Sequence, residues 1–275
     1  MIEQWIRTAI DEDVGTGDIT SLATLPENHV SSGSVRAKAV GIFCGMGIAN
    51  KVFHTVDPAL NIRWHMTDGS AVKPQTRIVD VQGSTRSILS AERTVLNYLQ
   101  RLSGIATLTR RFVDAVAGTG TKIIDTRKTT PGYRESEKYA VRCGGGTNHR
   151  MGLYDMFLIK DNHITASGSI TAAVQRAVEY NRKMPDPCAI EVEVKTLDEL
   201  NECLSLPIHR IMLDNMNISD MHDAVKRVAG KFEIEASGGI TLANVRAVAE
   251  TGVDFISVGA LTHSAPALDL TLLLD

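Results

Sequence analysis

Two stretches decide how this chain is read: Lys122-Ile123-Ile124-Asp125-Thr126-Arg127-Lys128 and Met156-Phe157-Leu158-Ile159-Lys160-Asp161-Asn162. Each is a short apolar run that ends in charged residues. Short apolar runs bounded by polar turns are the pattern of strands buried on both faces, as in parallel sheets. Arg127, Lys128 and Lys160 then stand just past the C-terminal ends of two strands, where α/β sheets and barrels bind their ligands. From Arg127 to Lys160 the chain carries seven Lys or Arg, opposed only by Glu135, Glu137 and Asp155, and includes Pro131-Gly132 and Gly144-Gly145-Gly146. It is a local basic concentration in a chain whose net charge is -3.

Toward the C-terminus the same unit repeats. Strands are expected over 122–125, 156–159, 189–194, 210–213, 232–236 and 253–258, with helical segments over 168–181, 196–204, 217–228 and 241–250. Polar or glycine residues close each strand, and Glu193, Asp214, Ser237 and Gly259 recur at intervals of 21 to 23 residues. One strand, one helix and two turns occupy about that length, so these residues keep one phase and share one rim. Six strands are too few for a closed eight-stranded barrel, and an incomplete β/α barrel is expected over 105–275, ending in a C-terminal tail.

Toward the N-terminus the rhythm is α+β without strict alternation. Helical spacing marks 3–10 and 49–56, and strand patterns mark 34–40, 60–66 and 76–81. Ser87 to Leu102 presents Ile88, Leu89, Val95, Leu96, Leu99 and Leu102 on one broad face, with Arg93, Asn97 and Gln100 off it. A break is expected at Ser103-Gly104, with a second helix over 106–116. A separate N-terminal domain over 1–104 is expected from this. The Asp11–Thr20 segment, with two glycines and four acids, reads either as a helix end and turn or as a functional loop.

The bulk numbers exclude some classes. The chain has 275 residues, ample for a core, and no apolar run approaches the roughly 20 residues that span a bilayer. No signal peptide is apparent, and the four cysteines form no Cys-x-x-Cys pair, so reduced thiols and a cytoplasmic location are expected. The slightly acidic balance speaks against nucleic acid as the main partner.

The rim divides by chemistry. Ser237-Gly238-Gly239 opens onto a helix start, and with Gly259 it suits a phosphate. Glu193 and Asp214, at the ends of neighbouring strands, suit Mg²⁺ together with substrate phosphates. Glu191 shares the face of Glu193 and is expected to pair structurally with Lys160 or Lys195. Arg127, Lys128, His149, Arg150 and Lys160 form a cationic half that suits carboxylates. A phosphorylated substrate and a small polyanion are implied; the reaction is not.

The motifs Glu92-Arg93-Thr94-Val95-Leu96-Asn97, Asp125-Thr126-Arg127-Lys128-Thr129-Thr130-Pro131-Gly132, Gly144-Gly145-Gly146-Thr147-Asn148-His149-Arg150, Lys160-Asp161-Asn162-His163, Glu191-Val192-Glu193, Leu213-Asp214-Asn215 and Glu235-Ala236-Ser237-Gly238-Gly239-Ile240 together resemble the quinolinate phosphoribosyltransferases. The resemblance runs from the Asp13 loop to Ala267. It implies transfer of ribose 5-phosphate from phosphoribosyl pyrophosphate to quinolinate, with loss of pyrophosphate and carbon dioxide. It also implies an N-terminal α/β sandwich domain over 1–104 ahead of the incomplete barrel, Mg²⁺, and a homodimer whose active sites are shared. Arg127, His149, Arg150 and Lys160 would hold quinolinate, with Arg93 arriving from the partner. Lys128, Lys160, Glu193, Asp214, Ser237, Gly238, Gly239 and Gly259 would face phosphoribosyl pyrophosphate, with Lys128, Lys160, Glu193 and Asp214 as the catalytic set and His149 as an orienting donor.

Three rivals stand beside this reading: a Schiff-base aldolase on Lys160, a nicotinate phosphoribosyltransferase-like enzyme, and a non-catalytic paralogue with a binding role. The presence of Arg93, Lys128, Lys160, Glu193 and Asp214 speaks against the last.

Overall fold

The structure, a computed structural model, describes residues 2–275. Its compact packing separates two units. The first takes the N-terminal residues to Arg110 together with 131–145 and 264–275; the second takes 111–130 and 146–263.

The first unit is built on an antiparallel sheet in the order Leu270–Leu274, Val30–Ala37, Arg77–Ser84, Asn61–Trp64. Val35 stands opposite Val79, and Ile62 opposite Val81, so the apolar residues of neighbouring strands meet on one face. Helices Ile2–Val14, Met46–Val56 and Thr85–Ala115 contribute Ile6, Val52, Phe53, Ile88, Val95 and Leu99 to the same core. Each such side chain, fully buried, contributes about 1.5–3 kcal/mol of transfer free energy.

Two sequence expectations change here, and one open alternative is decided. The helix Thr85–Ala115 runs through Gly104 without a break. A Cβ at Gly104 would lie 2.1 Å from the Pro266 carbonyl oxygen, so the glycine is there to admit another segment, not to end the helix. The C-terminal residues are not a tail: Leu270–Leu274 pairs with Val30–Ala37 as an edge strand. Local pattern carries no sign of a partner more than two hundred residues away. In the Asp11–Thr20 segment, Gly15 and Gly17 adopt positive φ, and the Asp18 carboxylate then accepts from the backbone N–H groups of Thr20 and Ser21. That segment ends one helix and caps the next, Ile19–Thr24.

The second unit holds six parallel strands in the order Lys122–Ile124, Phe255–Ser257, Glu233–Ser237, Arg210–Asp214, Ile190–Val194, Phe157–Ile159. Each end strand pairs with another strand on one side only, with a single bridge from Ile124 to Thr147 on the outer side, so the sheet is open, as an incomplete barrel requires. Helices follow the strands, including the expected ones at Ile170–Asn181, Leu197–Cys203, Ile218–Val228 and Val245–Ala249, and a further short one at Asp161–Ser167.

The period of two along these strands sorts their chemistry. Val192, Val194, Ile211, Leu213, Ile234, Ala236 and Ile256 occupy one set of alternate positions and are buried. The other set is Glu191 and Glu193, Arg210, Met212 and Asp214, Glu235 and Ser237, and Ser257. Register keeps that second set in line: Glu193 stands beside Met212 and Met212 beside Glu235, while Asp214 stands beside Ser237. One face of the sheet is therefore apolar and the other charged.

Candidate active site

A cavity of about 560 Å³ opens on the charged face, at the C-terminal ends of the strands. Arg127, Lys128, His149, Arg150, Lys160, Glu193, Asp214, Ser237, Gly238 and Gly239 all line it. Two of the residues singled out in the sequence do not. Gly259 lies behind Lys128, where a Cβ would come within 3.0 Å of the lysine Cδ. Arg93 is exposed on helix Thr85–Ala115, in the first unit, and its side chain makes no hydrogen bond or ion pair among the described residues.

On one side are two carboxylates. Glu193 Oε2 accepts from Lys160 Nζ at 2.9 Å. Asp214 Oδ1 accepts from Asn215 Nδ2 at 2.9 Å. Among the described residues the second oxygen of each has no hydrogen-bond or ion-pair partner, which suits a hard divalent cation held by one or two carboxylates and by phosphate oxygens. Asn215 and the glycines form the adjoining turn. Asn215 has φ of 54° and donates its N–H to the Ser237 carbonyl at 2.9 Å. Gly238 has φ of 94°, and a Cβ there would sit 2.2 Å from Asn215 Oδ1. No L side chain fits, so the backbone at 238–239 stays bare for an anion.

On the other side are Arg127 and Arg150. Burial, and then the neighbouring charge of Arg127, depress the pKa of the Arg150 guanidinium. Arg150 Nη1 donates to the Met156 carbonyl at 2.9 Å, but Nε of both arginines is buried without a partner. Two like charges with unfilled buried donors are costly unless an anion joins them. This is the geometry of a grip for a compact polyanion.

Beneath the arginines lies a group of buried titratable residues. His149 Nε2 is 3.0 Å from Glu191 Oε2 and 3.4 Å from Glu235 Oε2. His149 Nδ1 accepts the Arg150 backbone N–H at 2.7 Å. Arg210 reaches Glu235 at 3.4 Å and lies over the Phe255 ring at 4.0 Å. Burial opposes charge on His149, yet hydrogen bonds to Glu191 and Glu235 raise its pKa to about 9. The Arg150 N–H keeps Nδ1 as an acceptor, so the ring proton sits on Nε2. Burial, and the charge of Glu235, raise Glu191 to about 7.

Two sequence expectations are corrected by these contacts. Glu191 pairs with His149, while Lys160 is taken by Glu193 and Lys195 by Asp161 at 2.8 Å. His149 was expected to offer a donor to substrate, but both ring nitrogens are engaged within the protein. Its visible job is to set the backbone of Arg150. Glu235 and Asn215 line the cavity and were not singled out for a role. Glu235 was legible, since it stands two residues before Ser237 and shares its face; Asn215 gave no signal beyond its place next to Asp214.

The description "Quinolinate phosphoribosyl transferase, N-terminal domain" matches residues 18–103, and the corresponding C-terminal domain matches 105–273. The chain belongs to the quinolinate phosphoribosyltransferase family. It is 44% identical over 286 residues to the chloroplastic nicotinate-nucleotide pyrophosphorylase (carboxylating) of Arabidopsis thaliana, covering 98% of this chain and 82% of that protein. It is 43% identical to the probable enzyme of that name from a Synechocystis strain, covering 99% and 92%. The solved nicotinate-nucleotide pyrophosphorylase of Francisella tularensis superposes with a TM-score of 0.95 at 42% identity, covering 100% of this chain and 96% of that one. The N- and C-terminal family regions meet at residue 104, inside the continuous helix Thr85–Ala115. As a quinolinate phosphoribosyltransferase family member the chain has its polar cavity on the open six-stranded sheet.

Proposed function

We propose that this protein is a quinolinate phosphoribosyltransferase, converting quinolinate and phosphoribosyl pyrophosphate to nicotinate mononucleotide, pyrophosphate and carbon dioxide. The observation that carries the proposal is the pairing, in one cavity, of two guanidinium groups with unfilled buried donors and a carboxylate and glycine rim shaped for phosphate. Quinolinate carries two adjacent carboxylates, the charge that Arg127 and Arg150 lack. Phosphoribosyl pyrophosphate carries the phosphates that 237–239 and Lys128 suit.

In this reading the ring nitrogen attacks the anomeric carbon and the bond to pyrophosphate breaks. Positive charge that develops on the ribose faces Glu193 and Asp214, fixed in place before the reaction. Lys128 and Lys160 balance the departing and attached phosphates. The C2–carboxylate bond then breaks, its electron pair stays on C2 beside the cationic ring nitrogen, and C2 takes a proton from solvent. Mg²⁺, held through Glu193 and Asp214, would neutralise pyrophosphate charge. No side-chain nucleophile is required, and Lys160 is tied to a carboxylate as an ammonium, which speaks against the Schiff-base reading.

The active site is shared in a homodimer, with Arg93 supplied by the partner; its exposed, unpaired side chain supports that role. No described helix is long and apolar enough to cross a membrane, and we place the enzyme in the cytoplasm. Incubation with quinolinate, phosphoribosyl pyrophosphate and Mg²⁺ tests the proposal. Nicotinate mononucleotide should form, and its absence in an otherwise folded preparation overturns the reading.

A further inference from the structure

The first unit holds a pair of thiols remote in sequence and adjacent in space. Cys44 follows the strand Gly41–Ile42, and Cys143 is the last residue of helix Arg134–Cys143. Their sulfurs lie within 4.8 Å of each other, and neither is in a disulfide. They differ in access: Cys44 is fully buried, while Cys143 is only half-buried. Cys44 is also fixed in place, because Ser103 Oγ accepts its N–H at 2.9 Å and donates to its carbonyl at 3.1 Å.

We propose that Cys44 and Cys143 form a hydroperoxide-reactive thiol pair, with Cys143 as the attacking thiol and Cys44 as the resolving one. Accessibility assigns the roles, since an oxidant in solvent meets Cys143 first. The Cys44 S–H favours the thiolate at Cys143, whose pKa is lowered, and that same hydrogen bond, with burial and the Cys143 charge, pushes the Cys44 pKa up. In the first step the Cys143 thiolate attacks the O–O bond of a hydroperoxide. The distal oxygen transfers to sulfur as a sulfenic acid, and the remaining oxygen leaves as alcohol or water after taking a proton. In the second step Cys44 sulfur attacks the sulfenic sulfur, and the Cys44 proton leaves with the hydroxide as water. The two sulfurs have lost two electrons and the O–O bond has gained them. Closing to the bonded distance of about 2.0 Å requires the sulfurs to approach by less than about 3 Å, and Cys143 is at a helix end.

Asp68 brings a third donor within 4.8 Å, which is also metal-ligand spacing. Its oxygens, however, have partners that explain it. Oδ1 accepts from the N–H groups of Gly45 and Met46 at 2.8 and 3.0 Å, and Oδ2 accepts from Tyr139 Oη at 2.8 Å. Gly45 has no side chain with which to cap helix Met46–Val56, and Asp68 does so instead. The thiol pair is left as the reactive feature. Its bond would tether the point from which the chain runs through Gly144–Gly146 to His149 and Arg150.

The test uses the full-length protein and hydrogen peroxide, and does not depend on the catalytic reading. Fully reduced protein is treated with a few equivalents of peroxide, quenched with catalase, denatured and alkylated with N-ethylmaleimide. Two of the four thiols should escape alkylation, the intact mass should fall by two hydrogens, and digestion should yield a Cys44–Cys143 linked peptide. A dithiol should restore all four. In Cys44→Ser, dimedone should trap a sulfenic acid on Cys143; in Cys143→Ser, neither adduct nor link should form. Four alkylatable thiols after treatment, a link between other cysteines, or Cys143 oxidised to sulfinic acid with Cys44 untouched would each overturn the proposal. So would stoichiometric zinc in the purified protein that shields both thiols. The wild-type peptide map decides the matter even if a serine variant fails to fold.

Discussion

The contact from Glu191 to His149 lends itself to a quantitative test. Glu191→Leu removes the acceptor 3.0 Å from His149 Nε2 and leaves a shape of similar bulk. A buried donor left without a partner costs about 1–3 kcal/mol. Glu235 Oε2, at 3.4 Å, can take part of that load, so the lower half of the range applies. The ring can avoid the cost by turning, and turning withdraws Nδ1 from the Arg150 N–H. The cost thus reaches the grip on the dicarboxylate. At 1.4 kcal/mol per tenfold, about 1–2 kcal/mol is a rise of roughly 5- to 30-fold in KM for quinolinate. Neither KM for phosphoribosyl pyrophosphate nor kcat should move by more than about twofold, because those belong to the other half of the cavity. Glu191→Gln keeps an oxygen for the Nε2–H and should restore KM for quinolinate to within about threefold of wild type. Steady-state kinetics with each substrate varied, beside thermal melts of both variants, measure all of this. Equal losses for both substrates, or a Gln variant as impaired as the Leu variant, would refute the positioning role.

Four further outcomes are expected. Glu193→Gln and Asp214→Asn should each lower kcat more than they raise KM for quinolinate; a pure KM effect in steady-state assays contradicts their assignment to the ribosyl transition state. Nicotinate should be a poor substrate, since one arginine would face no carboxylate at a cost of roughly 2–5 kcal/mol, and equal turnover of the two acids removes that argument. Mixing inactive Arg93→Ala and Lys160→Ala homodimers, with exchange verified, should restore about a quarter of wild-type activity, because half the dimers are hetero and one of their two sites is intact; no recovery rules out sharing through Arg93. Stability should fall as pH rises from about 4.5 to about 7: Glu191 binds its proton more tightly folded than unfolded, so the folded state holds the excess proton and loses that advantage on deprotonation. Melting temperatures across that range check the sign, and Glu191→Gln should flatten the profile.

Much of this molecule is written locally in its sequence. Strands such as Arg210–Asp214 and Ile190–Val194 announce themselves by an apolar run or an apolar alternation and by the β/α period, because successive side chains take opposite faces and at least one face has to be apolar to be buried. The same period places Glu193, Asp214 and Ser237 on one rim, and chain geometry alone makes that inference safe. Arg127 and Lys160 could be assigned to the cavity for the same reason, since each follows a strand end, whereas Arg150 comes from the loop that precedes Phe157–Ile159.

What the tertiary structure alone decided depends on contacts between distant segments. Gly104 looks like a helix terminator until the Pro266 carbonyl is seen against it. The edge strand Leu270–Leu274 has no local mark of its partner, Val30–Ala37. Glu191, two residues from Glu193 and on the same face, has a different partner because depth along the strand differs. Near the rim a carboxylate meets Lys160 and the cavity; one step deeper it meets His149, brought in by a loop whose path no periodicity describes. Spacing along a strand specifies which face a side chain takes. Which group waits there is decided only when the rest of the chain has folded over it.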